Sequence, residues 1–449
     1  MEEKIKELLS TRNFREIKEV FCDFQPVDAA SIIEELFYES EDRKEILILY
    51  RLLPKDLAAE TFAFFDADVQ RELIEGFSDR ELRDVLTQTF VDDMVDMVEE
   101  MPANIVKRIL RNSDVKTRQA INEILKYPED SAGSIMTIEY IELLPTMTVA
   151  DAFLNIKRNG VDKETIYTCY VKDQNRRLIG FVTVKSLLLS EPEELISDIM
   201  ETNIISVNTH EDQEVVSEMM TRYDFLALPV VDAENRLVGI VTVDDIVDVI
   251  LEEATEDIEK MAAITPSEKP YLKLGIFETW KQRIPWLLIL MISATFTGGI
   301  IDMYTESLAA CAILTTFIPM FMGTGGNAGS QASVTIIRGL SINEIEFSDW
   351  LKIVWKEFRV ALLCGTTLAL IYFAVLVWIM KIEFMIAVVV GLTLIITVIA
   401  AKLVGCTLPM LAKKIGFDPA VMASPFITTI VDTLSLVIFF KIAVLLLNI

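Results

Sequence analysis

Five long apolar runs follow Arg283, and they constrain the fold more than any other feature of the chain. They cover residues 284–301, 307–337, 360–380, 384–401 and 419–440. Each is near or above the ~18–20 residues that a bilayer-crossing helix needs. The last run holds one charged side chain, Asp432. An ionised carboxylate near mid-membrane is expensive and usually faces a water-filled path that handles an ion. The plainer alternative is a buried aspartate that caps a neighbouring helix or bonds a Ser or Thr. Thr428 lies four residues before Asp432 and shares its helical face. Pro425 frees a backbone carbonyl, which is tolerable where it lines water. The second run is too long for one simple span, and its glycine-rich stretch after Pro319, Gly323-Thr324-Gly325-Gly326-Asn327-Ala328-Gly329-Ser330-Gln331, reads as a break. Those small residues also suit a helix-packing seam. Asn327 and Gln331 share a face.

Charge divides the chain sharply. Of 68 acids and 41 bases, 9 acids and 11 bases lie from Lys281 onward, so residues 1–280 carry about −29 and the remainder about +2. So acidic a surface repels nucleic acid and anionic lipid and attracts cations, although part of it is ordinary solubility charge. Arg338, Lys352, Lys356 and Arg359 fall between the second and third runs, and Lys402, Lys413 and Lys414 near the junction of the fourth and fifth. The positive-inside rule puts these groups in the cytoplasm. It predicts a multi-pass cell-membrane protein with a cytoplasmic N-terminus and the C-terminus outside. An odd number of spans closes a pore poorly by itself, so a homodimer is the simpler assembly.

The five cysteines have neither metal-ligand nor redox spacing and read as reduced packing residues. The one histidine, His210, reads as a turn residue and excludes a His-based zinc site. With no nucleophile–histidine pair available, an enzyme has little support.

Residues 1–130 read as helices only, stacked as hairpins in a small superhelix. Pro54 and Pro102 stand where helices open. From about Ser131 strands and helices alternate, and a repeat appears. Asp173-Gln174-Asn175-Arg176-Arg177-Leu178-Ile179-Gly180-Phe181-Val182-Thr183-Val184 recurs 59 residues later as Asp232-Ala233-Glu234-Asn235-Arg236-Leu237-Val238-Gly239-Ile240-Val241-Thr242-Val243. Ile135-Met136-Thr137 and Ile199-Met200-Glu201 open the copies. The pair, residues 131–195 and 196–243, resembles tandem CBS domains. In that family a Gly-x-x-Thr-x-x-Asp turn often holds an adenosine ribose. The second copy matches it at Gly239, Thr242 and Asp245, whereas the first has Ser186 in place of the aspartate, which implies one nucleotide site rather than two.

A connecting segment, residues 244–280, then begins with a densely acidic helix. Asp244, Asp248, Glu252 and Glu256 are four apart and form one stripe, with Asp245, Glu253 and Asp257 beside it. Like charges at this spacing destabilise an isolated helix by roughly 0.2–0.5 kcal/mol per pair. The bland reading is a solvated helix. The sharper one notes that it leads into the membrane region, 281–449, and that Glu60, Asp92, Asp93, Asp96, Glu214 and Asp224 are placed where they can face it. Hard divalent cations take oxygen ligands, and Mg²⁺ keeps several waters while using one or two carboxylates. Acids that repel without the cation and are bridged with it respond differently in two conformations, as a ligand-driven switch requires.

This combination resembles the MgtE family of magnesium channels along essentially the whole chain. The specific motifs are Tyr127-Pro128-Glu129-Asp130-Ser131-Ala132-Gly133, the Gly325–Gln331 stretch, and Asp418-Pro419-Ala420 through Asp432. The resemblance implies a multidomain fold: a helical superhelical N-domain, two α/β CBS domains, an acidic connecting (plug) helix and a five-helix transmembrane domain. It implies a homodimer in a lipid bilayer whose last helices line a pore, with Asp432 the pore acid and Asp418 at the cytoplasmic mouth. It implies Mg²⁺ sensing by Asp92, Asp96, Asp224, Asp245, Asp248, Glu253, Glu256 and Asp257, with Glu60 and Glu214 added. ATP at the CBS pair is a further implication. The function expected is a magnesium-gated, membrane-potential-driven Mg²⁺ channel, closed by cytosolic Mg²⁺. Asn327, Thr428 and carbonyls near Pro425 are candidates to hold the ion's water shell. A membrane-anchored nucleotide sensor that transports nothing is the rival reading; it explains residues 131–250 but not Asp432. The absence of a Cys/His cluster in the spans argues against soft metals, while Co²⁺, Mn²⁺, Zn²⁺ and Ca²⁺ stay open.

Overall fold

The computed structural model describes residues 2–39, 44–267, 271, 274–422 and 424–447. Of the segments expected above, parts of 1–130, 244–280 and 281–449 (residues 1, 40–43, 268–270, 272, 273, 423, 448 and 449) lie outside the described residues. The chain forms two compact units, Met1–Ile250 and Leu251–Ile449.

The first unit opens with short helices running from Glu2–Ser10 to Val115–Ile124. Their lengths are set by polar punctuation. Pro54 and Pro102 each occupy the N-cap of the next helix, Lys55–Ala63 and Ala103–Asn112. Ser78 and Glu81 form a reciprocal capping box. The Asp114 carboxylate accepts from the amides of Lys116 and Thr117 at 2.6 and 2.9 Å. The apolar faces meet in a core that includes Phe21, Leu49, Phe62, Leu73, Val95 and Ile121. It continues without interruption into Met136, Val216, Leu228, Val241 and Ile246.

Two three-stranded sheets follow. One orders β1 (Ile141–Leu143), β2 (Thr168–Lys172) and β3 (Leu178–Thr183). The other orders β4 (Val207–Asn208), β5 (Ala227–Val231) and β6 (Leu237–Thr242). In each, the first pair is parallel and the second antiparallel. The sequence repeat is a repeat of turn chemistry. Asp173 Oδ1 accepts from the amides of Asn175 and Arg177, and Asp232 Oδ1 from those of Glu234 and Arg236. Arg176 and Asn235, 59 residues apart, both take positive φ, 65° and 60°. The opening segments are exchanged. Thr137 pairs with Ile240 of the second copy, and Glu201 with Phe181 of the first. A Cβ at Gly239 would meet Met136 and the Thr137 carbonyl at 2.6 and 2.8 Å, and one at Gly180 would meet Met200 at 2.8 Å. Both glycines are therefore needed for this close approach.

The acidic helix, Val243–Met261, crosses the division, its last eleven residues belonging to the second unit. Beyond it, Ile276–Met303, Phe347–Ile379, Phe384–Lys414 and Pro419–Leu447 are long and apolar enough to cross a membrane. A further helix, Ile318–Ser341, has 24 residues and thus spans about 36 Å, but its polar glycine-rich stretch lowers its hydropathy.

Three expectations change. The glycine-rich stretch is not a break: Gly323–Gln331 is helical throughout, and the interruption comes earlier, in the short helix Thr305–Ala310 and the 3₁₀ segment Ala312–Phe317. The helix survives because its glycines are contact points. A methyl on Gly405 would run into the Gly329 carbonyl, and one on Gly325 would meet Ser435 Oγ at 2.7 Å. Pro425 likewise opens its helix, Ser424–Leu447, where a missing N–H costs nothing, and its carbonyl accepts from Thr428 and Thr429 at 2.9 and 3.0 Å. Lys402 is no loop charge: it lies inside Phe384–Lys414, 7% exposed, 3.4 Å from Glu357. Pairing is what makes a buried lysine tolerable there.

Candidate functional site

Asp432 is the ninth of the 24 residues of Ser424–Leu447. Its Oδ1 is buried and has no hydrogen-bond partner among the described residues. Buried polar atoms are nearly always satisfied, so each exception needs a reason, and a ligand is one. The capping alternative loses ground here, since a capping carboxylate accepts a bond. The neighbour on the glycine-rich helix is Gly326. A Cβ there would lie 3.0 Å from Thr428 Cγ2 and 3.8 Å from Asp432 Oδ1. Thr428 and Asp432 thus do share a face, as their spacing predicts. Asn327 is turned elsewhere. With Thr324, Gln331, Cys364, Thr367 and Lys402 it lines a cavity of about 470 Å³ among three helices of the second unit. The helical step from 326 to 327, about 100°, accounts for that divergence.

The expected sensing acids fall into separate places. In the first unit, Asp92 is 9% exposed on the helix Val91–Glu100. Burial, then the negative charges of Asp245, Asp93 and Glu164, push its pKa up to about 9. Burial foremost also raises Asp93, pressed by Asp244 and Glu139, to about 6. Asp245 rises to about 6 through burial, even though Thr242 Oγ1 donates to it at 2.5 Å. Glu164 rises to about 7 through burial and then Asp244, Asp245 and Asp93, and its Oε2 is buried without a partner among the described residues. The cluster therefore joins a helix of the N-domain, the first CBS copy and the first turn of the acidic helix. Sequence reasoning found Asp92, Asp93, Asp244 and Asp245 of this cluster but missed Glu139 and Glu164. Nothing in their spacing marks them; only the exchanged opening segment brings Glu139 there. Among the described residues no group of three or more His, Cys, Asp or Glu side chains is arranged to hold a metal ion.

Glu60, Asp96, Glu214, Asp224 and Asp248 are exposed, outside the set of acids that perturb Asp92. Glu253, Glu256 and Asp257 belong to the second unit. There Glu256 and Asp418 both bond Lys260, at 2.6 and 2.8 Å, and Ser341 Oγ donates to Asp257 at 3.3 Å. Burial, then Asp418, raises the Asp257 pKa.

At the expected nucleotide turn, Gly239, Thr242 and Asp245, Met136 and Thr137 lie against Gly239 just as Met200 lies against Gly180, and Thr242 Oγ1 donates to Asp245, which faces Asp92. A cleft of about 980 Å³ lies between the two copies, lined among others by Tyr170, Thr183 and Lys185 of the first and Tyr223, Asp224 and Phe225 of the second. Aromatic faces beside a lysine and hydroxyls suit a base with phosphates. At the turn below, Thr183 Oγ1 meets Ser186 Oγ at 2.9 Å.

Together these elements define a multi-pass membrane protein with a helical domain and a CBS pair ahead of its spans. The family model for the divalent cation transporter MgtE matches residues 318–442. That for the MgtE intracellular N domain matches 24–130, and that for the CBS domain matches 132–192 and 196–252. The magnesium transporter MgtE of Thermus thermophilus is 36% identical over the full length of both chains. Its counterpart in Bacillus subtilis is 32% identical over 97% of this chain and 95% of its own. A crystal structure of the cytosolic domain of the Mg²⁺ channel MgtE in complex with ATP is 34% identical, with TM-score 0.51, covering 56% of this chain and 100% of that one. The soluble part of a magnesium transporter is 30% identical, with TM-score 0.50, covering 56% and 98%. The chain belongs to the MgtE family.

Proposed function

We propose that this chain conducts Mg²⁺ into the cell and is closed by Mg²⁺ already inside. The observation that carries the reading is the unpartnered, buried carboxylate oxygen of Asp432 in an apolar helix. A homodimer would place two such carboxylates across one axis, where they grip the water shell of the ion rather than strip it. Thr428 stands beside them. Its hydroxyl hydrogen goes to the Pro425 carbonyl, which leaves its oxygen to accept from a water. Five spans, a cytoplasmic N-terminus and an outside C-terminus belong to this reading. So do the limits 1–130, 131–195, 196–243, 244–280 and 281–449. The membrane potential suffices to drive entry, because a divalent ion gains about 4.6 kcal/mol per 100 mV.

Closure uses the crowded acids. Asp92, Asp93, Asp245 and Glu164 repel one another when ionised, and a hydrated Mg²⁺ among them relieves that repulsion. Glu256, Asp257 and Asp418 respond in the same sense at the other end of the acidic helix. Asp96, Asp248, Glu253, Glu60, Glu214 and Asp224 are candidates for weaker surface sites. ATP, as in the related crystal structure, would take the cleft between the copies, against Tyr170 and Lys185. Asp432→Ala should abolish Mg²⁺ uptake while Asp432→Glu retains part of it. Unchanged uptake in Asp432→Ala would refute the pore assignment.

A further inference from the structure

Among the acids at the end of the acidic helix stands one base. Lys260 lies in its last turn and bonds two carboxylates at once, Glu256 Oε1 at 2.6 Å and Asp418 Oδ2 at 2.8 Å. The first bond runs within the helix at i, i+4, in the favourable order of Glu before Lys. The second crosses to the segment that opens the last span. Asp418 is itself held, since its Oδ1 accepts from the Ala420 amide at 2.7 Å and caps the 3₁₀ turn Pro419–Met422. Beside the ion pair, Met261 packs on Ile337 and Ala420. Burial pulls the ammonium's pKa down, but the bonds to Asp418 and Glu256 outweigh it and lift the pKa above the usual lysine range. The charge is therefore permanent under physiological conditions. Glu256 and Asp418 share the ammonium and Asp257 lies within its field, so three carboxylates and one ammonium leave a local charge of −2 when all are ionised, equal to one divalent ion.

We propose that Lys260 is a tethered cation that keeps the end of the acidic helix docked at Asp418 when no divalent ion is bound. The proposal rests on the gating reading above. It adds that the docked position has a standing internal bias, so that Mg²⁺ reinforces a contact already made. A side chain on the same helix cannot diffuse away. It acts at a fixed effective concentration, whereas Mg²⁺ acts in proportion to its level.

Disulfide trapping in the purified full-length protein tests this. Met261→Cys and Ala420→Cys are combined after Cys22→Ser and Cys364→Ser, and cross-linking is followed with chelator and with excess Mg²⁺. With chelator the pair should cross-link readily. Lys260→Met should slow it about fivefold, the change expected from ~1 kcal/mol, while Lys260→Arg keeps most of the rate and shows that the protein is intact. With Mg²⁺ the three should converge. Equal rates for Lys260→Met and its parent in chelator would overturn the proposal while leaving Mg²⁺ gating standing. So would a parent that cross-links only with Mg²⁺. A loss in Lys260→Met combined with no response to Mg²⁺ would support the latch and count against the gating reading.

Discussion

The two ends of the acidic helix solve the same electrostatic problem in opposite ways. At its start, Asp245 meets Asp92, Asp93 and Glu164, and the carboxyl groups are forced upward in pKa, to between about 6 and about 9. At its end, Glu256 and Asp418 meet Lys260. On the proposed reading one end takes its cation, proton or Mg²⁺, from solution, and the other carries its own, Lys260. Crowding of this kind is a poor way to build a stable fold and a good way to build a sensor. Its energy depends on what the solvent supplies.

That contrast can be broken by neutralising the crowded end. Asp92→Asn combined with Asp245→Asn should raise the Mg²⁺ concentration that half-inhibits flux by about tenfold, within the usual span of coupling between sites. Unchanged inhibition would remove this cluster from the gate. A pH series sharpens the same point. These carboxyls have folded pKa values above their ordinary ~3.9–4.3, so the folded state holds the protons more tightly. Without Mg²⁺, their contribution to stability is greatest below pH ~4 and is lost as pH rises through about 6 to 9. Mg²⁺ competes with those protons. Its gain in unfolding temperature should therefore be larger at pH 8 than at pH 5, and a gain independent of pH would argue that it binds elsewhere. The smallest effect concerns the residue the sequence did not mark. Glu164→Gln should raise the half-inhibiting Mg²⁺ about threefold, because one of several acids is lost and its orphaned Oε2 with it. A Glu164→Gln titration that overlays the parent's would make that oxygen incidental.

How much of this was legible in the sequence follows from which forces are local. The 59-residue repeat, the proline-opened helices and the acidic stripe depend on neighbours in the chain, and each takes shape as its pattern suggests. The apolar runs also mark their helices, because apolarity over some twenty residues is a local sum. What the sequence could not supply is what arrives from far away. Gly323–Gly329 reads as a break until Gly405 and Ser435 are seen pressed against it. Lys402 reads as a loop charge until Glu357, 45 residues away, turns up beside it. Asn327 directly follows Gly326, the neighbour of Asp432, and only the rotation of one helical step turns it to a different cavity. The nucleotide turn at Gly239, Thr242 and Asp245 fits its motif letter by letter, yet the fold also sets Asp245 against Thr242 and beside Asp93, which arrives from the N-domain. Motifs record what a turn can bind, and only the fold decides what is left uncovered.

The central claim, an ion path through Asp432 read by acids on the long N-terminal half, is tested most directly by Mg²⁺ flux through the purified protein in liposomes. Mg²⁺ is varied separately on the two faces. The account predicts that Mg²⁺ on the face bearing residues 1–280 shuts the flux off, that Mg²⁺ on the opposite face feeds it, and that Asp432→Ala carries none. Flux that ignores Mg²⁺ on the N-terminal face, or that persists in Asp432→Ala, would contradict it.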